Sequence, residues 1–253
     1  MYKSIFEGKT AATFDLDGTL VDTIPLWSKV FDQMCLDLGV LWPGFQSFLG
    51  LPLEEVWHHV LSLSAVDVDV TPEVLAEKAH AAFLELLDET ELELIDGFWD
   101  LAYELKAEKG YKLALVTNSK RDIVNKVFSK LGIEKTFDVV VTTEDVSIPK
   151  PSPRIYKLAC KELESRASHV LAFEDSPTGA FSAHNAGLDV VVLWDGSVSK
   201  NAYPGNTKLF APSYRSIPEN IDKTFDDVFQ DFLDLNSEDA NAEETSPEKS
   251  SDQ

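Results

Sequence analysis

Two aspartates separated by one residue, Asp15 and Asp17, sit in the run Phe14-Asp15-Leu16-Asp17-Gly18-Thr19-Leu20-Val21-Asp22, directly after the apolar-leaning stretch Thr10-Ala11-Ala12-Thr13. That stretch reads as a strand, so the pair stands where a strand ends. Side chains alternate along a strand, and the two carboxylates face one way only if the chain stays extended through Leu16. Gly18 then permits a sharp departure. Two carboxylates in one crevice repel, which raises the proton affinity of one of them unless a cation intervenes. A divalent metal with oxygen ligands resolves the conflict, leaving one carboxylate as ligand and nucleophile and the other as acid and base. On its own, the segment also reads as a plain acidic turn.

Three further segments put polar groups next to apolar runs or in a stiffened loop. Tyr111-Lys112-Leu113-Ala114-Leu115-Val116 closes on Thr117-Asn118-Ser119, where a hydroxyl and backbone N–H groups could hold phosphoryl oxygens. Ser147-Ile148-Pro149-Lys150-Pro151-Ser152-Pro153 fixes one lysine between prolines before a helical stretch. Val170-Leu171-Ala172-Phe173 runs into Glu174-Asp175-Ser176-Pro177-Thr178-Gly179, a second carboxylate pair. In open parallel α/β sheets ligands bind at the C-terminal strand ends, so the four segments are expected to converge.

In order, these segments resemble the four motifs of the haloacid dehalogenase superfamily of phosphotransferases, whose first motif is an apolar strand followed by Asp-x-Asp-Gly-Thr. The resemblance implies that Asp15 attacks phosphorus and forms an aspartyl phosphate. Asp17 then protonates the leaving oxygen and later deprotonates the hydrolytic water. It implies Mg2+ held by Asp15, by Asp17 through its backbone carbonyl, by Asp175, and by Glu174 directly or through water. Thr117 and Lys150 would hold phosphoryl oxygens, with Asn118 helping through its backbone N–H. Dehalogenases of the superfamily lack the second aspartate, since carbon–halogen displacement needs no proton for the leaving group. Asp17 therefore points to phosphate, and Asp22 reads as a local hydrogen-bonding residue.

The elements that must position these groups follow from periodicity. Between the first and second motifs, Leu26, Val30, Phe31, Met34 and Leu38, then Val56, Val60 and Leu63, then Val74, Ala79, Phe83, Leu86 and Leu87 recur at helical spacing. Pro52 and Pro72 fall near helix starts, with Thr71 a candidate cap. The rest alternates: helix 98–109, strand to 117, helix 121–131, strand 137–143, helix 153–163, strand 170–173, helix 178–186, strand 190–194. The expected fold is α/β, a doubly wound parallel sheet with an inserted α-helical cap. The core is expected over 1–23 and 93–235, the cap over 24–92, and a disordered acidic tail over 236–253, whose residues cannot offset their ordering entropy. Deleting that tail should leave turnover unchanged.

A cap inserted after the first motif resembles the branch of the superfamily that includes small-molecule phosphatases and β-phosphoglucomutase. Leu49-Gly50-Leu51-Pro52-Leu53-Glu54-Glu55 is similar to its specificity loop. The mutases imply an arginine near Leu53 and a histidine near Trp27, and this chain has neither. Lys78 matches a mutase-like lysine, but lysine does not supply arginine's bidentate recognition of a second phosphate. Phosphatase is thus favoured over mutase, and over a non-catalytic scaffold, because no motif residue is lost. Trp27, Trp42, Phe45, Phe48 and Trp57 read mainly as packing. Trp27 is the first of them expected to line a substrate chamber, with Lys78 and Asn118 the other candidate substrate contacts.

Composition narrows the partners. The formal charge of -22 argues against nucleic acid and acidic membrane surfaces. It also makes a phosphate site costly without a cation. Cys35 and Cys160 are far apart and lack metal-ligand spacing, and all five histidines read as structural or surface groups. No targeting segment or bilayer-length apolar run is seen, so a cytoplasmic monomer acting on a small phosphorylated metabolite is expected.

Overall fold

The computed structural model describes residues 5–64 and 69–219. The tail expected over 236–253, and positions 220–235 of the expected core, lie outside the described residues. Six strands form one parallel sheet: β1 (Ala11–Phe14), β2 (Lys112–Val116), β3 (Val139–Val141), β4 (Val170–Glu174), β5 (Asp189–Leu193) and β6 (Leu209–Ala211). Their spatial order is β3-β2-β1-β4-β5-β6, so the winding reverses between β1 and β4. That reversal opens a crevice at the carboxyl ends of the strands. Around the sheet lie α1 (Ile24–Leu38), α2 (Leu53–Leu63), α3 (Pro72–Glu89), α4 (Phe98–Tyr103), α5 (Arg121–Leu131), α6 (Arg154–Glu162), α7 (Pro177–Ala186) and α8 (Ser216–Glu219).

The period of two in the strands sorts the core into two layers. Ala12, Phe14, Leu113, Leu115, Leu171 and Phe173 face one layer. Ala11, Ala114, Val116, Val170 and Ala172 face the other, against Ile155, Tyr156 and Ala159 of α6. The second face carries small residues, and the first is aromatic. Phe14 stacks on Phe173 with ring centres 4.8 Å apart, and Phe98 meets Phe14 edge-on at 5.4 Å.

Helices α1 to α3 precede β2 and share the aromatic layer's apolar cluster. Their rings pack on one another: Trp27 on Phe83 at 3.8 Å, Phe31 on Trp57 at 4.9 Å and Phe31 on Trp42 at 5.1 Å. The packing reading of these aromatics is what the structure shows. Thr71 stands at the start of α3, but its side chain makes no cap; Pro72 occupies the first turn instead.

Elsewhere the elements differ from periodicity in informative ways. The helix expected to Lys109 changes at Glu104–Glu108 into a π turn. The third strand is Val139–Val141 only: before it Phe137 stacks on Phe128 at 5.5 Å, and after it Thr142 caps a short turn over Thr143–Asp145. Three-residue β6 was not anticipated; it is too short to display a period. Among the described residues no helix is long and apolar enough to cross a membrane. Cys35 and Cys160 are free and buried, and burial pushes both thiols up to about 11.

Candidate active site

Register brings the motif ends together. Phe14 lies opposite Leu115 on β2 and Phe173 on β4, so Asp15, Thr117 and Glu174 emerge from neighbouring strand ends. The Asp15 N–H still bonds to the Phe173 carbonyl at 3.1 Å, which extends the ladder by one residue. The chain then folds over itself. The Leu16 carbonyl accepts from the N–H groups of Leu20 and Val21 at 2.8 and 3.1 Å, and Gly18 adopts a φ of 79°. A Cβ on Gly18 would lie 2.3 Å from Asp175 Oδ2, so the glycine answers both the turn and the close approach of Asp175.

Lys150 is 2 % exposed, and its Nζ donates to Asp15 Oδ1 and to Glu174 Oε1, each at 2.7 Å. The Tyr156 hydroxyl donates to the same Glu174 oxygen. The other one, Glu174 Oε2, is buried and has no hydrogen-bond partner among the described residues. Asp15, Glu174 and Asp175 each offer a carboxylate oxygen, all within 4.8 Å of one another. Burial and the mutual repulsion of the acids push the Asp175 carboxyl well up, and burial raises Glu174 against the pull of Lys150. Burial also opposes the Lys150 charge, but Asp15 and Glu174 outweigh it and raise its pKa above the usual lysine value.

Three carboxylates face one ammonium here. An all-oxygen donor set with an orphaned buried oxygen suits a hard divalent cation, which would supply the missing positive charge.

Asp17 is held apart from this cluster. Its Oδ1 accepts from the Thr23 hydroxyl at 2.5 Å and from the Trp27 indole N–H at 3.4 Å, and its Oδ2 accepts from the Ser119 hydroxyl. Burial raises its pKa, the Asp15 charge adds to this, and the three donors pull the other way. The two aspartates expected to face one crevice do line one cavity of about 120 Å3, together with Thr117 and Lys150. They hold different partners because β1 ends at Phe14, and Leu16 lies in the turn rather than in a strand.

The other expected contacts are placed as follows. Trp27 lines the cavity, yet its ring is 4 % exposed, stacked on Phe83 and parallel to Phe45. Its faces therefore serve the protein, and its N–H serves Asp17. The Asn118 side chain ties two loops: Nδ2 donates to the Gly50 carbonyl at 2.9 Å, and Oδ1 accepts from the Lys150 N–H at 3.0 Å. Lys78 is exposed and does not line the cavity; Ala76 and His80, four apart on α3, present that face instead. Asp22 is likewise exposed.

Four contributors were not singled out in the sequence: Thr23, Ser119, Tyr156 and Tyr203, whose hydroxyl donates to the Asp175 carbonyl at 2.7 Å. The one available signal was Ser119 inside Thr117-Asn118-Ser119. The others are joined to the site only by the fold.

The profile of the haloacid dehalogenase-like hydrolase family matches residues 12–193. The chain belongs to that family. It is 34 % identical over 189 residues to validoxylamine A 7'-phosphate phosphatase of Streptomyces hygroscopicus subsp. limoneus, covering 72 % of this chain and 84 % of that one. It is 29 % identical over 193 residues to fructose-1-phosphate phosphatase YqaB of Escherichia coli K12, covering 74 % and 97 %. Among solved structures it is similar to CbbY from Rhodobacter sphaeroides in complex with phosphate, with a TM-score of 0.71, 27 % identity and coverage of 81 % and 95 %.

Proposed function

We propose that this hydrolase is a Mg2+-dependent phosphatase that cleaves a small sugar-like phosphomonoester through an aspartyl phosphate. The observation that carries this reading is the division of labour between the two aspartates. Asp15 is gripped by Lys150 beside Glu174 and Asp175, whereas Asp17 is held by neutral donors in a setting that favours its protonated form.

In this reading Asp15, Asp175 and the Asp17 carbonyl would hold Mg2+, with Glu174 directly or through water. Mg2+ would supply positive charge against the phosphoryl oxygens. The ionised Asp15 attacks phosphorus, and the ester oxygen leaves with the proton of Asp17. The resulting Asp17 carboxylate removes a proton from water, whose oxygen attacks the aspartyl phosphate, releasing orthophosphate and restoring Asp15. Lys150 balances the paired acids throughout and, with the Thr117 hydroxyl, faces the phosphoryl oxygens. The helices over residues 24–92 act as the cap and exclude bulk water from the first step. Relatives named as phosphatases of phosphorylated sugars and pseudo-sugars support the substrate class.

The test is phosphate release from hexose, pentose, polyol, glycolate and nucleoside monophosphates, with Mg2+, with a chelator, and with Asp15→Asn. Release that needs both Mg2+ and Asp15 is expected. Metal-independent release, or activity retained in Asp15→Asn, would refute the mechanism.

A further inference from the structure

The charges that line the cavity, resting on the phosphatase reading above, also limit what the substrate's alcohol can be. We propose that the leaving alcohol bears no negative charge, being a neutral or amine-bearing polyol, and that Glu54 selects against anionic alcohols.

The argument is an inventory of the cavity wall. Among the described residues three basic side chains line it, Lys120, Lys150 and His80, and no arginine does. Each already has a carboxylate partner, and only His80 Nδ1 is left without a hydrogen bond among the described residues. Lys150 holds Asp15 and Glu174. Lys120 Nζ is 2.6 Å from Glu77 Oε1. His80 Nε2 is 2.8 Å from Asp122 Oδ2, so any charge on the ring already faces a carboxylate.

Neutral donors line it as well, two of them already engaged, and the Thr117, Thr143 and Ser176 hydroxyls supply no charge. The Asn118 amide bonds to Gly50 and Lys150, and the Ser119 hydroxyl bonds to Asp17. A second anionic group on the substrate would thus lose water without gaining a counter-charge, which is costly. Much of the remaining wall is apolar, with Ile24, Phe45, Leu51, Leu53 and Ile123. Glu54, on the first turn of α2, has no hydrogen bond or ion pair among the described residues. Its carboxylate repels an anion and accepts from hydroxyl or ammonium groups.

The test compares matched esters. Glycerol 3-phosphate and 3-phosphoglycerate differ by a hydroxymethyl group against a carboxylate, and ethanolamine phosphate and phosphoglycolate by a protonated aminomethyl group against a carboxylate. p-Nitrophenyl phosphate, which carries no anionic group besides its phosphate, reports phosphoryl transfer itself. The neutral or cationic member of each pair is expected to show a kcat/KM at least about tenfold above its anionic partner. Glu54→Gln should shrink that ratio, and so should Glu77→Gln, which frees Lys120 and lies on the exposed side of α3.

Equal or greater use of the anionic members, or a ratio that neither variant moves, overturns the proposal. If p-nitrophenyl phosphate is cleaved while the anionic esters are preferred, the proposal fails and the phosphatase reading stands. If no ester, p-nitrophenyl phosphate included, releases phosphate, the phosphatase reading fails and the proposal falls with it.

Discussion

Thr23 and Asp17 are joined by a 2.5 Å hydrogen bond from hydroxyl to Oδ1, at the point where the turn after β1 becomes α1. Trp27, one helical turn further on, reaches the same oxygen, and Ser119 reaches the other from the end of β2. The aspartate proposed to move protons is thus fixed from both the inserted helices and the sheet. A group that must protonate one oxygen and then deprotonate another needs such fixing more than it needs charge.

Thr23→Val keeps the shape of the side chain and removes the donor. With Asp17 less restrained, kcat is expected to fall about tenfold, a fraction of what acid–base catalysis supplies. KM should stay within about twofold, because Thr23 does not line the cavity. Steady-state kinetics beside a thermal melt decides it. An unchanged kcat in a folded variant would mean that Asp17 needs no such support.

How far the sequence could carry this depended on chain distance. Asp15, Asp17, Lys150, Glu174 and Asp175 were legible because strand-end motifs are local, and a parallel sheet brings strand ends together. The partners that orient them were not. Tyr156 meets Glu174 across 18 positions, and Thr23 would look like any helix-entry threonine without its hydrogen bond. Trp27 was legible as a cavity residue, but which atom faces the site depends on its stack with Phe83. Lys78 failed to reach the cavity because it lies two residues from both Ala76 and His80, about 200° round the helix, and a resemblance in spacing does not fix that rotation.

Gly179 has a role that its place after Pro177-Thr178 only hints at. A Cβ there would lie 1.9 Å from Glu174 Oε2, the buried oxygen with no hydrogen-bond partner among the described residues. Glu174 is walled in by Lys150 and Tyr156 on its other oxygen, so it has little room to retreat. Gly179→Ala is therefore expected to displace the carboxylate and weaken metal binding about 10- to 100-fold. Isothermal titration with Mg2+ reads this directly. An alanine variant with parental Mg2+ affinity would show that Glu174 plays no part in holding the cation.

Asp189, at the start of β5, gives a pH prediction away from the site. Partial burial alone would raise its pKa, but Lys9 at 2.6 Å and Lys208 at 3.2 Å hold the carboxyl below the usual range. The folded pKa is thus lower than that of the unfolded chain. Its stabilisation is present above the ordinary carboxylate value of about 3.9 and is lost as pH falls through the folded value. Asp189→Asn should lower Tm at neutral pH, and the gap to the parent should close as pH drops below about 4. A constant gap across a melting series from neutral to acid pH would assign the loss to packing instead.

Among the described residues Lys150 is the one cation that bridges acids of the Asp15, Glu174 and Asp175 cluster, and removing it exposes how much the site depends on positive charge. Lys150→Met fills similar space and leaves buried acids unpaired, which typically costs about 3–5 kcal/mol. Without metal the variant should melt well below the parent. Added Mg2+ should raise its Tm more than it raises the parent's, since the cation then offsets repulsion that Lys150 otherwise relieves. Turnover should fall at least about 100-fold even at saturating Mg2+ if, as proposed, the ammonium also faces the phosphoryl oxygens. Calorimetry with and without Mg2+ separates the two roles: a variant whose stability Mg2+ restores while turnover stays low assigns Lys150 to the reaction as well as to the fold. Full recovery of both would leave it a structural counter-ion only.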